Sequence, residues 1–416
     1  MSTTTENKAR TSEHQSLGTV MHDYRSKLRG GDVGALPALA GALVLVIVFA
    51  VMSGSKFTNA FNFSNLILQG SAISVFAMGL VFVLLLGEID LSAGYTGGVA
   101  AAVVGKVMIH GTNWVLALIV GLLVGALVGL ANGLLVSKLG VPSFVVTLAG
   151  FLALQGVLLL LTGAGGTVPY RDSHVLAIMN KNMALWLGWT FALVTIAGFS
   201  ALGFSRRRQR ERAGLPTPTL LVWLLKSLAF AAVVVAATVY LSKERSRNVF
   251  IASLKGVPIV VVIVAVLAVV LTFLLTRTSW GRHVYAVGGN TEAARRAGIN
   301  VDRVKISCFM MCSTLAAIGG VLLASRTNSV NPQTGGSDTL LFAVGAAVIG
   351  GTSLFGGRGR VVDGILGAIV ITVIVNGMTL QGQPQGRVYM ITGLVLLLAA
   401  SVDAVSRRRA AASGRV

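Results

Sequence analysis

The stretch VFAMGLVFVLLLGEIDLSAG, residues 75–94, joins an apolar run to two carboxylates and then to a run of small residues. An apolar run of about 20 residues in helical form is long enough to cross the hydrocarbon core of a bilayer. Acidic residues are rare in this chain, 14 among 416, so their position directly after such a run is informative. The stretch predicts a membrane-spanning helix, an interruption that holds Glu88 and Asp90, and a second helix that starts near Ala93.

The composition of the whole chain supports an integral membrane protein. Hydrophobic residues make up 54% and charged residues only 12%, with a mean hydropathy of +0.81, whereas soluble domains carry about 25% charged residues. The formal net charge of +20 would suit a nucleic-acid-binding protein. The basic residues instead form short clusters between apolar runs, as topology signals do, so we expect no nucleic-acid partner.

Apolar windows of spanning length predict an all-α, polytopic protein with about 12 (10–12) transmembrane helices. The range reflects two short, Gly-rich windows, 93–109 and 339–355. The predicted spans are 36–53, 66–87, 93–109, 114–136, 143–162, 184–203, 219–241, 257–276, 306–324, 339–355, 363–381 and 388–404.

Loop charge predicts the orientation, because loops rich in Lys and Arg stay in the cytoplasm. A cytoplasmic N-terminal tail, residues 1–35, puts SRRRQRER (205–212), the polar stretch 277–305 and the C-terminal tail 405–416 on the cytoplasmic side as well. Both termini are then cytoplasmic. Residues 36–404 form one membrane domain.

Small residues and amides mark where helices approach closely. GLLVGALVGLANG carries Gly121, Gly125 and Gly129 at a spacing that lets two helix backbones meet. Asn132 and Asn376 each precede a glycine within an apolar run, and each either bonds a neighbouring helix or lines a translocation path. GEIDLSAG can also be aligned with GGTSLFGG, residues 350–357, as in transporters with internal repeats.

Motifs for chemistry are missing. The chain has no phosphate-binding glycine loop with Lys, no zinc-protease motif and no nucleophile elbow. Cys308 and Cys312 lie four residues apart without a His or carboxylate neighbour, so we interpret them as reduced packing residues rather than metal ligands. We therefore expect no catalytic residues, no metal site and no cofactor bound by this chain, and a transport subunit rather than an enzyme.

The stretch RTSWGRHVYAVGGNTEAARRAGINVDRVK, residues 277–305, is the longest informative polar segment. It predicts a turn at 288–290, a short helix capped by Asn290 or Thr291, and a second turn at 298–300. A capped amphipathic helix suits docking to a partner's groove, and an ordinary basic loop is the alternative.

Three motifs, in their order along the chain, resemble those of permease subunits of bacterial ABC importers of the ribose/xylose and branched-chain amino acid class. They are GEIDLSAG (87–94), AVGGNTEAARRAGINVDRVK (286–305) and NPQTGGSDTLLFAVGAAVIGGTSLFGGRGRVVDGILGAIVITVIVNGM (331–378). Residues 163–256 form an insert relative to compact members, which makes the chain more similar to the longer, xylose-type ones.

The resemblance implies a multi-pass permease of the bacterial cytoplasmic membrane that moves a sugar, xylose or a related pentose or hexose, by alternating access. Its expected partners are a cytoplasmic ATPase that carries ATP and Mg, an extracytoplasmic sugar-binding protein, a second copy of the permease and the lipid bilayer. The implied ATPase-docking residues are Gly288, Gly289, Asn290, Glu292, Ala293 and Gly298. The implied loop facing the binding protein contains Asn331, Pro332, Gly335, Gly336 and Asp338.

Intramembrane charge decides between this reading and a self-sufficient, ion-coupled carrier of sugars or amino acids. Such carriers place several ionisable groups inside the membrane, and only Glu88, Asp90, Lys106 and Lys226 are candidates here. Helical positions i and i+2 point in different directions, so Glu88 and Asp90 are not expected to share a proton. Asp90 or Ser92 is expected to cap the helix that follows. The candidates for a helix break or pathway are Glu88, Asp90, Ser92, Asn132, Asn376 and Gln381.

Overall fold

In the computed structural model, residues 14–15, 36–163, 166–215, 217–246 and 253–412 are described. The helices are α1 (Leu36–Ser53), α2 (Ser55–Thr58), α3 (Ala60–Leu85), α4 (Ala93–Ile109), α5 (Trp114–Ser137), α6 (Ser143–Thr162), α7 (Ser173–Asn180), α8 (Leu185–Arg212), α9 (Leu220–Leu241), α10 (Ile259–Arg277), α11 (Ser279–Gly289), α12 (Thr291–Arg296), α13 (Val301–Thr327), α14 (Ser337–Ile349), α15 (Val361–Leu380) and α16 (Gln385–Ala412). The strands are β1 (His14–Gln15), β2 (Val168–Pro169), β3 (Thr217–Pro218) and β4 (Ser329–Val330). β1 pairs with β3 in parallel and β2 pairs with β4 in antiparallel orientation.

The described residues contain eight helices that are long and apolar enough to cross a membrane, and four shorter apolar helices. Each overlaps one of the windows predicted from the sequence, so the all-α, multi-spanning class is confirmed. The boundaries differ most at α8 and α16, which continue to Arg212 and Ala412. They differ less at α3, which starts at Ala60 with Asn59 as its cap, and at α14, which ends at Ile349. α14 ends early because Gly350 is followed by Gly351 at φ +116°, a backbone angle that a helix cannot continue.

The predicted turn at 288–290 is wrong in one respect. α11 continues through both glycines to Gly289, and the chain turns only at Asn290. The apolar side chains of Val284 and Val287 are buried on one face of this helix, and that face holds the helix against the bundle up to its last turn.

The core lies between α3, α13 and α15, whose most apolar windows are 67%, 61% and 72% buried. α5 approaches α13 through its row of glycines. A Cβ at Gly125 would lie 2.6 Å from the carbonyl oxygen of Ser313, and one at Gly129 would lie 2.5 Å from that of Phe309. The close approach predicted from the spacing of these glycines is therefore present.

The bundle has two distinct ends. At the strand end, defined by residues 166–184, 242–246, 253–258 and 328–331, β2 pairs with β4 and the Met183 amide donates to the Val257 carbonyl at 2.8 Å. At the motif end, defined by residues 86–92, 138–142, 278–300 and 350–360, Lys138 pairs with Asp302 at 2.7 Å. α8 starts beside the strand end, so its C-terminal arginines lie toward the motif end.

Candidate functional site: a glycine junction at the motif end

The interruption between α3 and α4 is built around Asp90. The backbone N–H and the hydroxyl of Ser92 donate to Asp90 Oδ1 at 2.9 and 2.6 Å. Ser92 is the N-terminal cap residue of α4, but its side chain makes no cap hydrogen bond of its own. Asp90 is fully buried. Its carboxylate lies in the turn before α4 and holds the first residues of this helix, a role that the Ser92 side chain does not perform from the cap position.

Asn132 extends this polar cluster to α5. Its Nδ2 donates to Ser92 Oγ at 2.8 Å, and its side chain is buried. The second carboxylate oxygen of Asp90 is buried without a hydrogen-bond partner among the described residues, and the thiol of Cys312 on α13 interacts with this carboxyl. Asp90, Ser92, Asn132 and Cys312 thus join three helices at one point.

Glu88 points away from Asp90 and has a different partner. It forms an ion pair with Lys305, near the start of α13, and both side chains are less than one fifth exposed. This pair borders a cavity of about 260 Å³, which Asp302, Ser143 and Arg295 also line. The two acids of GEIDLSAG therefore hold opposite sides of the helix break and form no shared-proton pair.

Three glycine-rich segments meet backbone to backbone beside this break, at Gly87, Gly288, Gly356 and Gly357, which we call the glycine junction. A Cβ at Gly288 would lie 1.8 Å from the Leu85 carbonyl oxygen, and one at Gly356 would lie 2.9 Å from the Gly87 nitrogen. The Gly357 amide donates to the same Leu85 carbonyl at 2.8 Å. The junction joins the segment 278–300 to both helix breaks, 86–92 and 350–360.

Tyr285 secures the same segment. Its hydroxyl donates to the Gly359 carbonyl at 2.8 Å. Burial and the nearby carboxylate of Asp363 raise the pKa of Tyr285, so the phenol keeps its proton and remains a donor. Only the position of this residue in the polar stretch marked it in the sequence.

The outer side of the segment 278–300 is open to solvent. Asn290 caps α12 by accepting a hydrogen bond from the Ala293 amide at 2.9 Å, as expected for one of the two predicted caps. Glu292, Ala293 and Gly298 are exposed, whereas Ala294 is buried. Gly289 is exposed too, but Gly288 faces inward to the junction. Five of the six predicted docking residues therefore lie on one accessible surface.

The remaining predicted pathway residues lie elsewhere. Asn376 on α15 exchanges two hydrogen bonds of 3.0 Å with Asn62 on α3, and both amides are buried. Gln381 ends α15 and lies 3.5 Å from the Ser53 hydroxyl. Asn376 thus bonds two helices, and the pairing consumes the polar group that would otherwise face a pathway. Asn62, its partner, was missed although it is an amide at the start of an apolar helix.

The loop expected to face a binding protein is only partly at the surface. Gly335 and Gly336 are buried, because a Cβ at Gly94 on α4 would lie 2.3 Å from the Gly335 carbonyl oxygen. These two glycines pack against the membrane helix and offer no contact to a partner. Asn331 and Asp338 are exposed and Pro332 is half-buried, so three of the five predicted residues remain accessible.

The site has none of the features of a metal centre in the described residues. No group of three His, Cys, Asp or Glu side chains there is arranged to hold a metal ion. Cys308 and Cys312 are free and buried on one face of α13.

Comparison with known proteins places the chain among permeases. Residues 62–400 match the family described as branched-chain amino acid transport system / permease component. The xylose transport system permease protein of Haemophilus influenzae is 34% identical over 387 residues, 92% of this chain and 99% of that protein. Its Escherichia coli counterpart is 34% identical over 388 residues, 92% of this chain and 95% of that protein.

The ribose import permease protein of Bacillus subtilis is 31% identical over 373 residues, 90% of this chain and 94% of that protein. No solved structure matches the chain. The matched family spans both helix breaks and the segment that joins them at the glycine junction. The chain therefore belongs to the branched-chain amino acid transport system permease family.

Proposed function

We propose that this chain is the membrane-spanning subunit of an ATP-binding-cassette importer that moves a monosaccharide, xylose or a related pentose or hexose, into the cell. The long similarity to xylose permeases supports the sugar class. The observation that carries the mechanism is the glycine junction, because it joins an exposed segment to two helix breaks within one bundle.

The exposed surface of α11 and α12 is the docking site of a separate ATPase subunit in this proposal. ATP binding moves the ATPase and with it α11, whose Gly288 abuts the carbonyl at the end of α3. Since glycine backbones touch there without side chains between them, displacement of α11 is transmitted to both breaks. ATP hydrolysis resets the segment, and this chain carries no catalytic group.

The finer features follow from loop charge and from the family. Twelve membrane helices with both termini in the cytoplasm place the motif end inside and the strand end outside. Two copies of the permease form the membrane part, and an extracytoplasmic sugar-binding protein delivers the solute at the strand end, where Asn331 and Asp338 are exposed.

Reconstitution in proteoliposomes tests this function. The chain is reconstituted into vesicles with a candidate ATPase. A candidate binding protein and labelled xylose are then added on the same side of the membrane. We expect uptake that needs all three proteins and ATP. Uptake that persists without the ATPase and collapses with an uncoupler would establish an ion-coupled carrier instead.

A further inference from the structure

The hairpin of α8 and α9 is the part of the molecule that the proposed function leaves unused. The most apolar window of each helix is only 11% buried, and the two helices pack chiefly against each other. Phe199 stacks on Phe230 at 4.2 Å, and Phe204 contacts Trp223 at 5.4 Å. The hairpin is therefore a peripheral unit whose outer surface meets lipid.

α8 is longer than a bilayer requires. Its 28 residues extend about 42 Å at 1.5 Å per residue, against a hydrocarbon core of about 30 Å. The excess is the segment 205–212, which remains helical and carries five arginines and one glutamate. Glu211 pairs with Arg207 at 2.6 Å, and the described residues form no ion pair with the other four arginines.

A second cation lies on the same half of the hairpin. Lys226 on α9 is exposed between the lipid-facing side chains of Leu224, Leu225 and Leu228. A lysine in such a stripe is costly unless its amine extends to the headgroup region and meets an anion there. Trp223, three residues nearer the helix start, is turned toward α8, where its indole N–H donates to the Ser200 carbonyl at 3.1 Å, so the lysine is the group that faces outward here.

We propose that the motif-end half of this hairpin binds the headgroups of anionic phospholipids, through the arginines of 205–212 and through Lys226. The occupant is lipid rather than a second copy of the chain, because a two-fold contact would set arginine against arginine. Four arginines that form no ion pair with the described residues, together with a lipid-facing lysine on the same half of the hairpin, match the charge and the depth of a layer of lipid phosphates.

The test measures thermal unfolding of the full chain in neutral detergent while phosphatidylglycerol or phosphatidylcholine is added. We expect phosphatidylglycerol to raise the unfolding temperature and phosphatidylcholine to leave it unchanged. The fourfold variant R206Q/R208Q/R210Q/R212Q should bind phosphatidylglycerol more weakly, by roughly fivefold for each arginine removed.

Two further variants keep the outcome interpretable. The corresponding fourfold Arg→Lys variant preserves the charge and should retain most of the response, which separates lost binding from lost folding. Lys226→Leu should be as stable as wild type or more so in neutral detergent, yet respond less to phosphatidylglycerol. The proposal would be overturned if phosphatidylglycerol raised the unfolding temperature of the Gln variant as much as that of wild type. If that variant also bound the ATPase more weakly in lipid-free detergent, the arginines would be assigned to the ATPase instead.

Discussion

The Cβ position of Gly288 lies 1.8 Å from the carbonyl oxygen of Leu85, closer than any side chain can fit. A Cβ at the neighbouring Gly289 would meet no atom within 4 Å. Of two consecutive glycines in one helix, only Gly288 therefore lacks room for a side chain, because of its contact with the end of α3. This difference offers a matched pair of variants for the glycine junction.

Gly288→Ala should force α11 away from α3 and separate the docking segment from the helix breaks. Overpacking of this kind lowers the free energy of unfolding by about 1–3 kcal/mol. ATP-dependent uptake should fall by more than the loss of folded protein explains. Gly289→Ala has open space and helical geometry, so it should be neutral or stabilise by about 0.4–1 kcal/mol. Uptake and ATPase activity in proteoliposomes, with thermal unfolding alongside, check both. Equal uptake by the two variants would exclude the junction as the link.

The ion pair of Glu88 and Lys305 is partly buried and joins the α3–α4 break to α13. Glu88→Gln and Lys305→Met should each destabilise the chain, since each leaves a partly buried charge without its partner. The double variant E88Q/K305M should lose less stability than the two single changes added together, with a coupling free energy of about 1 kcal/mol in a double-mutant cycle of thermal unfolding. Additive effects would show that the two charges act independently.

Asn62 and Asn376 form a closed pair in the core, each donating to and accepting from the other at 3.0 Å. Asn376→Leu should leave the side-chain oxygen of Asn62 without its donor, although Asn62 Nδ2 keeps its hydrogen bond to the Phe57 carbonyl, and should cost about 1–3 kcal/mol. Leucine at both positions should cost less than the single change, because no amide is then left without a partner. Transport by the double variant tests the mechanism. Retained uptake would show that the pair serves only as a hydrogen bond between two helices, and abolished uptake with intact folding would support a pathway role.

Periodicity and loop charge were enough to predict the membrane class and the location of the apolar helices, because spanning length is a local property of the sequence. The row of glycines from Gly121 to Gly129 also predicted a close helix contact, because glycines four residues apart lie on one face and let two helix backbones approach. The sequence named the three segments that form the junction only as separate motifs. Their meeting depends on the packing of α3, α11 and α14, which no local pattern encodes.

Two predictions about polar residues depended on partners distant in sequence. Asn376 looked equally suited to a pathway or to a helix contact until Asn62 was seen beside it. Gly335 and Gly336 were expected at the surface, because the family resemblance implies that their loop faces a binding protein. Their burial arises from Gly94 on α4, and the absence of side chains on both segments is what allows the loop to enter the bundle.

Glu244, at the strand end, should make the contacts between residues 244–246 and 253–254 sensitive to acid. Hydrogen bonds from the backbone of Ser246 and Leu254, together with one from the Ser253 hydroxyl, lower the pKa of Glu244 from 4.5 to about 2. A lowered pKa in the folded state means that the ionised carboxylate stabilises these contacts above pH 4.5. That contribution is lost as the pH falls from 4.5 toward about 2.

Pepsin, which is active throughout this range, provides the measurement. Cleavage within 242–258, relative to cleavage of the denatured chain at the same pH, should rise as the pH falls from 4.5 toward 2. Glu244→Gln keeps the shape but removes the titrating group, so its loop should be cleaved readily at every pH in that range. A wild-type loop that resists pepsin equally at both limits would show that these hydrogen bonds do not hold it. Acid sensitivity shared by wild type and Glu244→Gln would assign the effect to other carboxylates.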